Sequence, residues 1–313
     1  MADISRSELS TLIEEAYSRD LLQSAETTSV VLQAFPQVDM GTKTTNLPVI
    51  ATLPEADFVS ESATQSEGVK PTAQMTWGNK QLVAEEIAVI IPVHENVIDD
   101  ATIDVIAEIT RQGGAAIGRK FDGAVLFGTD KPASWTSDCL FDAADAASMT
   151  FEVGDAVDGE DLSGSILLAA EAVDEAGWDP STFIGPRGLR FRLANQRDST
   201  GAPVYQPSLG GVTGALGGQV HGLDAAWASG RVWDRDTATG LVVDASRVMI
   251  GVRQDITVKL LDQATVGGIN LAERDMVALR FKARYAYVLG NTTNAEGDAD
   301  NSPVAAVIPA AGS

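Results

Sequence analysis

Three features of the chain predict an α+β fold. A long alternating strand over 75–93 passes straight into the longest helical pattern of the sequence, about 95–127. A second strong period-two run, 275–289, lies far downstream and pairs naturally with the first. Between them sit a separate helical unit beginning near Leu162 and a glycine-rich passage.

The first helical signal is short: Leu9, Leu12, Ile13, Ala16, Tyr17 and Leu21 form one stripe over residues 5–22, with Ser5 or Ser7 as candidate caps. From Thr27 to Leu53 the sequence reads as an extended arm punctuated by Pro36 and Pro48, with little local core to join and partners expected on other chains. Residues 54–74 are polar, with Gly68 and Pro71, and read as a long excursion between two strands.

In the strand that follows, Met75, Trp77, Val83, Ile87, Val89, Ile91 and Val93 take one side while Thr76, Lys80 and Glu86 take the other, and Pro92 is read as its close. The helical period then begins, with Ile103, Ile106, Ile109, Ile117, Phe121, Ala124 and Phe127 on its stripe. Acidic residues lie early and Arg111, Arg119 and Lys120 later, as the helix dipole favours. A helix over 95–127 extends about 50 Å at about 1.5 Å per residue, enough to brace an extended molecule. Gly113-Gly114 in its middle predicts a bend or a close contact, and Gly128 a C-terminal stop.

Residues 129–161 are poorly patterned. A helix is predicted from Leu162 to Gly177, capped by Ser163, and another from Pro186, whose ring suits a first turn. Residues 198–204 form a turn, 209–222 a glycine-rich connection, and 247–261 and 275–289 long strands before a Pro/Ala-rich end.

With 313 residues and 44% hydrophobic content the chain can bury a sizeable core. Its formal charge of -22, from 44 acidic against 22 basic residues, opposes any grip on nucleic acid by phosphate neutralisation. One cysteine, Cys139, excludes an internal disulfide and fits a reducing compartment. The start lacks a basic stretch followed by an apolar one, and no run of about 18 apolar residues could span a bilayer, so a soluble protein with no membrane partner is expected.

No catalytic, cofactor-binding or metal-binding residues are assigned. His94 and His221 are far apart without metal-ligand spacing, and Cys139 has no nucleophile context. The run from Gly210 to Gly218 lacks the Lys-Ser/Thr ending of a phosphate loop, so a mobile loop is the better reading. The acidic runs 155–161 and 298–301 lack the full ligand ladder of a calcium loop. Arg187, Arg190, Arg192 and Arg197 concentrate four arginines in eleven positions. In so acidic a chain they are expected to meet carboxylates of a neighbouring subunit.

The order of these pieces resembles the major capsid proteins of tailed bacteriophages with the HK97 fold. The resemblance rests on MTWGNKQLVAEEIAVIIPVHENVIDD, FDGAVLFGTD, FIGPRGLRFRLANQRDSTGAPVYQP followed by GQVHGLDAAW, and the closing VMIGVRQDITVKLL and DMVALRFKARYAYVL, together spanning residues 50–290. It implies an N-terminal helix and arm over 1–50 and an extended β-hairpin loop over 51–86. A peripheral domain then comprises 87–160 and 252–289, containing the spine helix 95–127, and an axial domain comprises 161–251 and 290–313.

The implied function is structural and non-enzymatic: a subunit that self-assembles as hexamers and pentamers into an icosahedral virion shell around double-stranded DNA. Such a shell would be built in the host cytoplasm, with a portal protein at one vertex. Only about 50 residues precede the expected loop, so a separate scaffolding protein is expected during assembly. An acidic inner wall would repel the genome and let it slide. Two alternatives are an encapsulin-like compartment of the same fold and, unrelated, a glycine-loop enzyme. Gly113-Gly114 becomes, in this setting, a bending point that fits one sequence to non-equivalent shell positions. Family members that cross-link join a loop lysine to an asparagine beside a buried carboxylate. Lys70 or Lys80 with Asn270 and Glu273 supplies the residue types, but Glu273-Arg274-Asp275 is a charged, solvated run, so a shell without covalent links is expected.

Overall fold

The structure, a computed structural model, describes residues 29–52, 76–100, 105–154, 162–196, 218–229, 231–290 and 301–310. The sequence-predicted helix at 5–22, the loop at 54–74 and the turn at 198–204 lie outside these residues, as do Lys70 and both acidic runs apart from Asn301.

Two sheets organise the molecule. The first, in the order β1-β10-β13-β4, is built on the long strands β10 (Val248–Leu261) and β13 (Met276–Leu289), which pair antiparallel along their length. β4 (Glu85–His94) pairs antiparallel with β13, as the sequence predicts, and β1 (Gln37–Asp39) lies parallel to β10 at the other edge. β4 alternates half-buried odd with exposed even positions. It runs to His94, past the close that Pro92 predicts. An edge strand tolerates a residue with no amide hydrogen to donate.

The predicted strand over 75–93 is in fact two strands in two sheets. β3 (Thr76–Val83) pairs antiparallel with β2 (Thr44–Thr52) in a separate ladder, and the chain changes sheet at Ala84, whose amide donates to the Lys43 carbonyl at 2.8 Å. Burial changes phase at the division: the even positions Gly78, Lys80 and Leu82 are the more buried in β3 and the odd positions in β4, so Trp77, on the apolar odd phase of the sequence, is left exposed.

The arm also departs from its extended reading. Residues 30–34 form a helical turn, α1 (Val30–Ala34), and Val30, Val31, Leu32 and Phe35 are buried in the main core. Burying this apolar cluster outweighs the weak helix propensity of Val30-Val31.

The spine is described as α2 (Glu95–Asp100) and α3 (Val105–Phe127). α3 is unbroken through Gly113-Gly114. A Cβ built on Gly113 lies 2.8 Å from the Phe281 ring, so this glycine provides the close approach of helix to sheet. Gly113→Ala is therefore expected to cost about 1–3 kcal/mol by overpacking, lowering the melting temperature of the isolated subunit. Adding Phe281→Leu should recover part of the loss, and an unchanged melt for Gly113→Ala would contradict the contact. Gly128, with φ +67°, turns the chain at the end of α3 as predicted.

Residues 129–154, unpatterned by sequence, contain α4 (Leu140–Ala146) and β5 (Thr150–Glu152). The second sheet has the order β5-β14-β9-β6-β8-β7 and receives α5 (Leu162–Glu175) on an apolar layer of Ile166, Ala169, Val173, Phe183 and Val242. Its middle strand β6 (Thr182–Pro186) is wholly buried and pairs with β8 (Leu223–Ala228) and β9 (Gly240–Val243). β7 (Gln219–Val220) forms one edge.

Three local predictions change here. Pro186 ends β6, and α6 (Leu189–Asn195) starts after Gly188. Ser163 is buried inside α5, where its Oγ lies 2.6 Å from His221 Nε2 instead of capping the helix. The Pro/Ala-rich end contributes the buried strand β14 (Val304–Ile308), a small-residue strand that fits between β5 and β9.

Candidate functional site

Side chains concentrate at three places where this fold could do work. The first is the root of the β2–β3 ladder. Trp135 Nε1 donates to the Val83 carbonyl at 2.9 Å, Ser134 Oγ donates to Glu85 Oε1 at 2.8 Å, and Lys43 pairs with Glu85 at 3.5 Å. Lys80 Nζ donates to the Leu289 carbonyl at 2.5 Å, and burial holds its pKa below the ordinary lysine value. Met40, Leu82, Ala84, Ala286 and Val288 form a small core beneath. The root is clamped. Farther out, Trp77 is 61% exposed, and a two-stranded ladder of this kind is marginal by itself in water.

The second is a buried latch between arm and spine. Asp122, on the buried face of α3, accepts from Ser29 Oγ at 2.6 Å and from the Val30 and Val31 amides at 3.0 and 3.2 Å. These are the orphan amide hydrogens of the first turn of α1, so one carboxylate caps a helix it does not belong to. Burial raises the Asp122 pKa to about 6, against the opposing pull of the three hydrogen bonds. Sequence reading missed this residue; the available signal was an acid among Phe121, Ala124 and Val125 on the apolar stripe.

The third is a pair of arginine-lined clefts flanking α6. One, of about 550 Å³, is lined by Arg187, Arg190, Thr182, Asp224 and Trp227; the other, of about 310 Å³, by Arg192, Arg235, Leu189 and Pro309. The predicted cluster is divided between the two: Arg187 and Arg190 line the larger cleft and Arg192 the smaller, where Arg235 joins it, while Arg197 lies outside the described residues.

The remaining sequence candidates are scattered. His94 is exposed at the end of β4, while His221 is held at the β7–β8 turn. Cys139 is buried as the cap of α4, its Sγ accepting from the Asp142 amide at 3.3 Å, and burial pushes its thiol up to about 12. Such a thiol stays protonated and unreactive. Asn270 is half-buried on β12 (Ile269–Asn270), Glu273 is exposed, and Lys80 is engaged at the ladder root. Among the described residues no three His, Cys, Asp or Glu side chains gather as a metal set, and no helix is long and apolar enough to cross a membrane.

Long paired strands crossed by a spine helix, a projecting two-stranded ladder and a separate helix-backed sheet define an HK97-like capsid subunit. Solved structures agree. The chain is similar to one from Mycobacterium phage Adephagia, with 51% identity, TM-score 0.81 and 100% of each chain covered. It is similar to one from Mycobacterium phage Bobi at 55% identity and TM-score 0.81, covering 99% of this chain and 100% of that one. The capsid of a native GTA particle, at 14% identity and TM-score 0.65 over 92% of this chain and 91% of that one, shares the fold. No curated protein matches. Residues 10–294 match the phage capsid family. The chain belongs to that family and is a structural major capsid protein, self-assembling into the capsid shell of the virion.

Proposed function

We propose that the subunit forms an icosahedral shell of hexamers and pentamers around double-stranded DNA, without sequence-specific contact and without catalysis. The division into a 1–50 helix and arm, a 51–86 loop, a peripheral domain of 87–160 and 252–289 and an axial domain of 161–251 and 290–313 is part of this reading. The observation that carries it is the β2–β3 ladder, clamped at its root yet leaving Trp77 61% exposed, a shape that a neighbouring subunit completes. A net charge of -22 supports a wall that repels the packaged genome. A portal at one vertex and a separate scaffolding protein, with assembly in the host cytoplasm, complete the proposal on the strength of the family resemblance.

The shell is held without covalent links. Lys80 Nζ is committed to the Leu289 carbonyl, and an exposed Glu273 is poorly placed to take up a lysine proton. Electron microscopy of the purified protein should show closed shells, with DNA inside those isolated from virions; a monomer, or protein cargo in place of DNA, would refute the reading. Mature particles boiled in SDS should run as one band near 32.8 kDa. Covalent ladders lost on replacing Lys70 or Lys80 would overturn the non-covalent part alone.

A further inference from the structure

We infer that the open edge of β8 takes an extended, carboxylate-bearing segment of a separate polypeptide as an added strand beside Arg187. This goes beyond the shell reading and stands without it. Residues 224–228 of β8 run parallel to β6 in an unbroken register, with the Asp224 amide donating to the Ser181 carbonyl at 2.9 Å and the Arg187 amide to the Ala228 carbonyl at 3.2 Å. The main-chain groups of Asp224, Ala226 and Ala228 therefore face β6. Those of Ala225 and Trp227 face away from it, because successive residues of a strand alternate in direction.

On that far side the cover is short. β7 pairs only with Leu223 and Asp224, and the Ala225 amide donates to the Gly218 carbonyl at 3.2 Å. Trp227 lies past this cover, and its amide hydrogen, its carbonyl and its indole N–H have no hydrogen-bond partner among the described residues. Sheets blunt an exposed edge with proline, charge or a bulge, and Ala225-Ala226-Trp227-Ala228 carries none of them. The open stretch is roughly 13 Å long at about 3.3 Å per residue. Such an edge accepts a further strand by main-chain hydrogen bonding.

The walls around this edge choose the occupant. Ala225, Ala226 and Trp227 line the cleft of about 550 Å³ together with Ala34, Arg187 and Arg190. Ala226 and Ala34 pack against the main core, while Ala225 and Trp227 pack against the α5 layer, so alternate side chains of an added strand meet different surroundings. Small apolar residues suit the side of Ala34. Arg187 is exposed and makes no ion pair among the described residues, and a carboxylate engages its guanidinium in two-point fashion. Arg190 lies with its guanidinium 4.8 Å from the centre of the Phe191 ring. The Asp224 carboxylate on the same wall accepts from Gln219 Nε2 at 3.3 Å, which leaves the described lining with more positive than negative charge. A second copy of the chain fits this edge less well. The ladder strands β2 and β3 carry no carboxylate, the acids of β4 are held by Lys43, Lys282 and Arg284, and at β5 the Glu152 carbonyl accepts from Ser165 Oγ at 3.2 Å. The passage 209–217 before β7 has no charged residue. The fit is to an alternating apolar and acidic segment of another protein.

The test is peptide binding to the whole chain, unassembled, measured by calorimetry with an end-blocked Val-Asp-Val-Asp-Val peptide. It should bind at least about tenfold more tightly than Val-Lys-Val-Lys-Val. Methylating the amides of its valines, or separately of its aspartates, distinguishes an added strand from simple charge attraction. Only one set of amides faces β8, so one methylated peptide should lose at least about tenfold in affinity and the other stay within about threefold. Arg187→Glu should weaken the acidic peptide at least about tenfold, and Trp227→Phe, which keeps a ring and removes the indole N–H, by a smaller factor. If Arg187→Glu fails to fold, the methylated pair still decides. No binding of the acidic peptide, equal binding of the lysine peptide, or equal effects of the two methylations would each overturn the proposal. So would tighter binding of oligothymidylate, which would place phosphate in the cleft. Loss of subunit association in Arg187→Glu without any peptide binding would give the edge to a second copy and overturn it too. Closed shells, or their absence, decide the shell reading alone.

Discussion

Asp122→Ala is expected to destabilise the subunit by about 3–5 kcal/mol, because it strands the Ser29 hydroxyl and two amide hydrogens in a dry interior. Asp122→Asn keeps the volume and one acceptor oxygen, so its cost should be smaller. The two substitutions also separate in their pH dependence. In the folded subunit burial raises the Asp122 pKa to about 6, against an ordinary 3.8. Between those values the folded state holds a proton that the unfolded chain has released. This group's contribution to stability therefore rises as pH falls through 6 and levels off below 3.8, by about 3 kcal/mol in all. Denaturant melts from pH 4 to 7 should show this slope in the native chain and lose it in Asp122→Asn. Parallel profiles for the two would show that Asp122 does not titrate in this way.

The same latch sets where the chain can be shortened. Truncation that removes residues 2–28 should leave the body folded, whereas removal of 2–40 takes Ser29 from Asp122 and Val30, Val31, Leu32 and Phe35 from the core. The longer truncation should fail to fold.

Removal of residues 58–72 is expected to abolish closed shells while leaving a folded subunit with a near-native melt. The deleted residues lie beyond the described ladder, and the contacts at its root, from Trp135 to Val83 and from Lys80 to Leu289, stay within the body. On the proposed shell reading the loss falls on contacts between subunits, which are more costly to lose than exposed ion pairs. Electron microscopy and a thermal melt measured on the same sample separate the two effects. Normal shells from the deleted chain would rule out an intersubunit role for the loop, and a collapsed melt would place the segment in the body instead.

Elements whose own periodicity exceeds noise are legible from the residues alone. β13 and β10 read as strands because alternation persists along their length, and α3 reads as a helix because its apolar stripe repeats over many turns. The α+β class and the pairing of β4 with β13 follow from the same patterns. Short elements were hidden: α4, β5 and β14 are too brief to carry a period, and small residues such as Ala305 and Ala306 give no hydrophobic alternation to read.

The rest depends on contacts between distant parts of the chain. Tertiary structure split the run 76–94 between two sheets at Ala84, since hydrogen-bond partners and not side-chain phase define a sheet. It brought Val30 to Phe35 into the main core by offering their amides the carboxylate of Asp122, a pairing across 92 positions for which local sequence holds no record. It also supplied the partner of the close contact that Gly113-Gly114 predicts as one of two readings, the Phe281 ring on which α3 sits, because a missing Cβ is legible in sequence but the ring that takes its place is not.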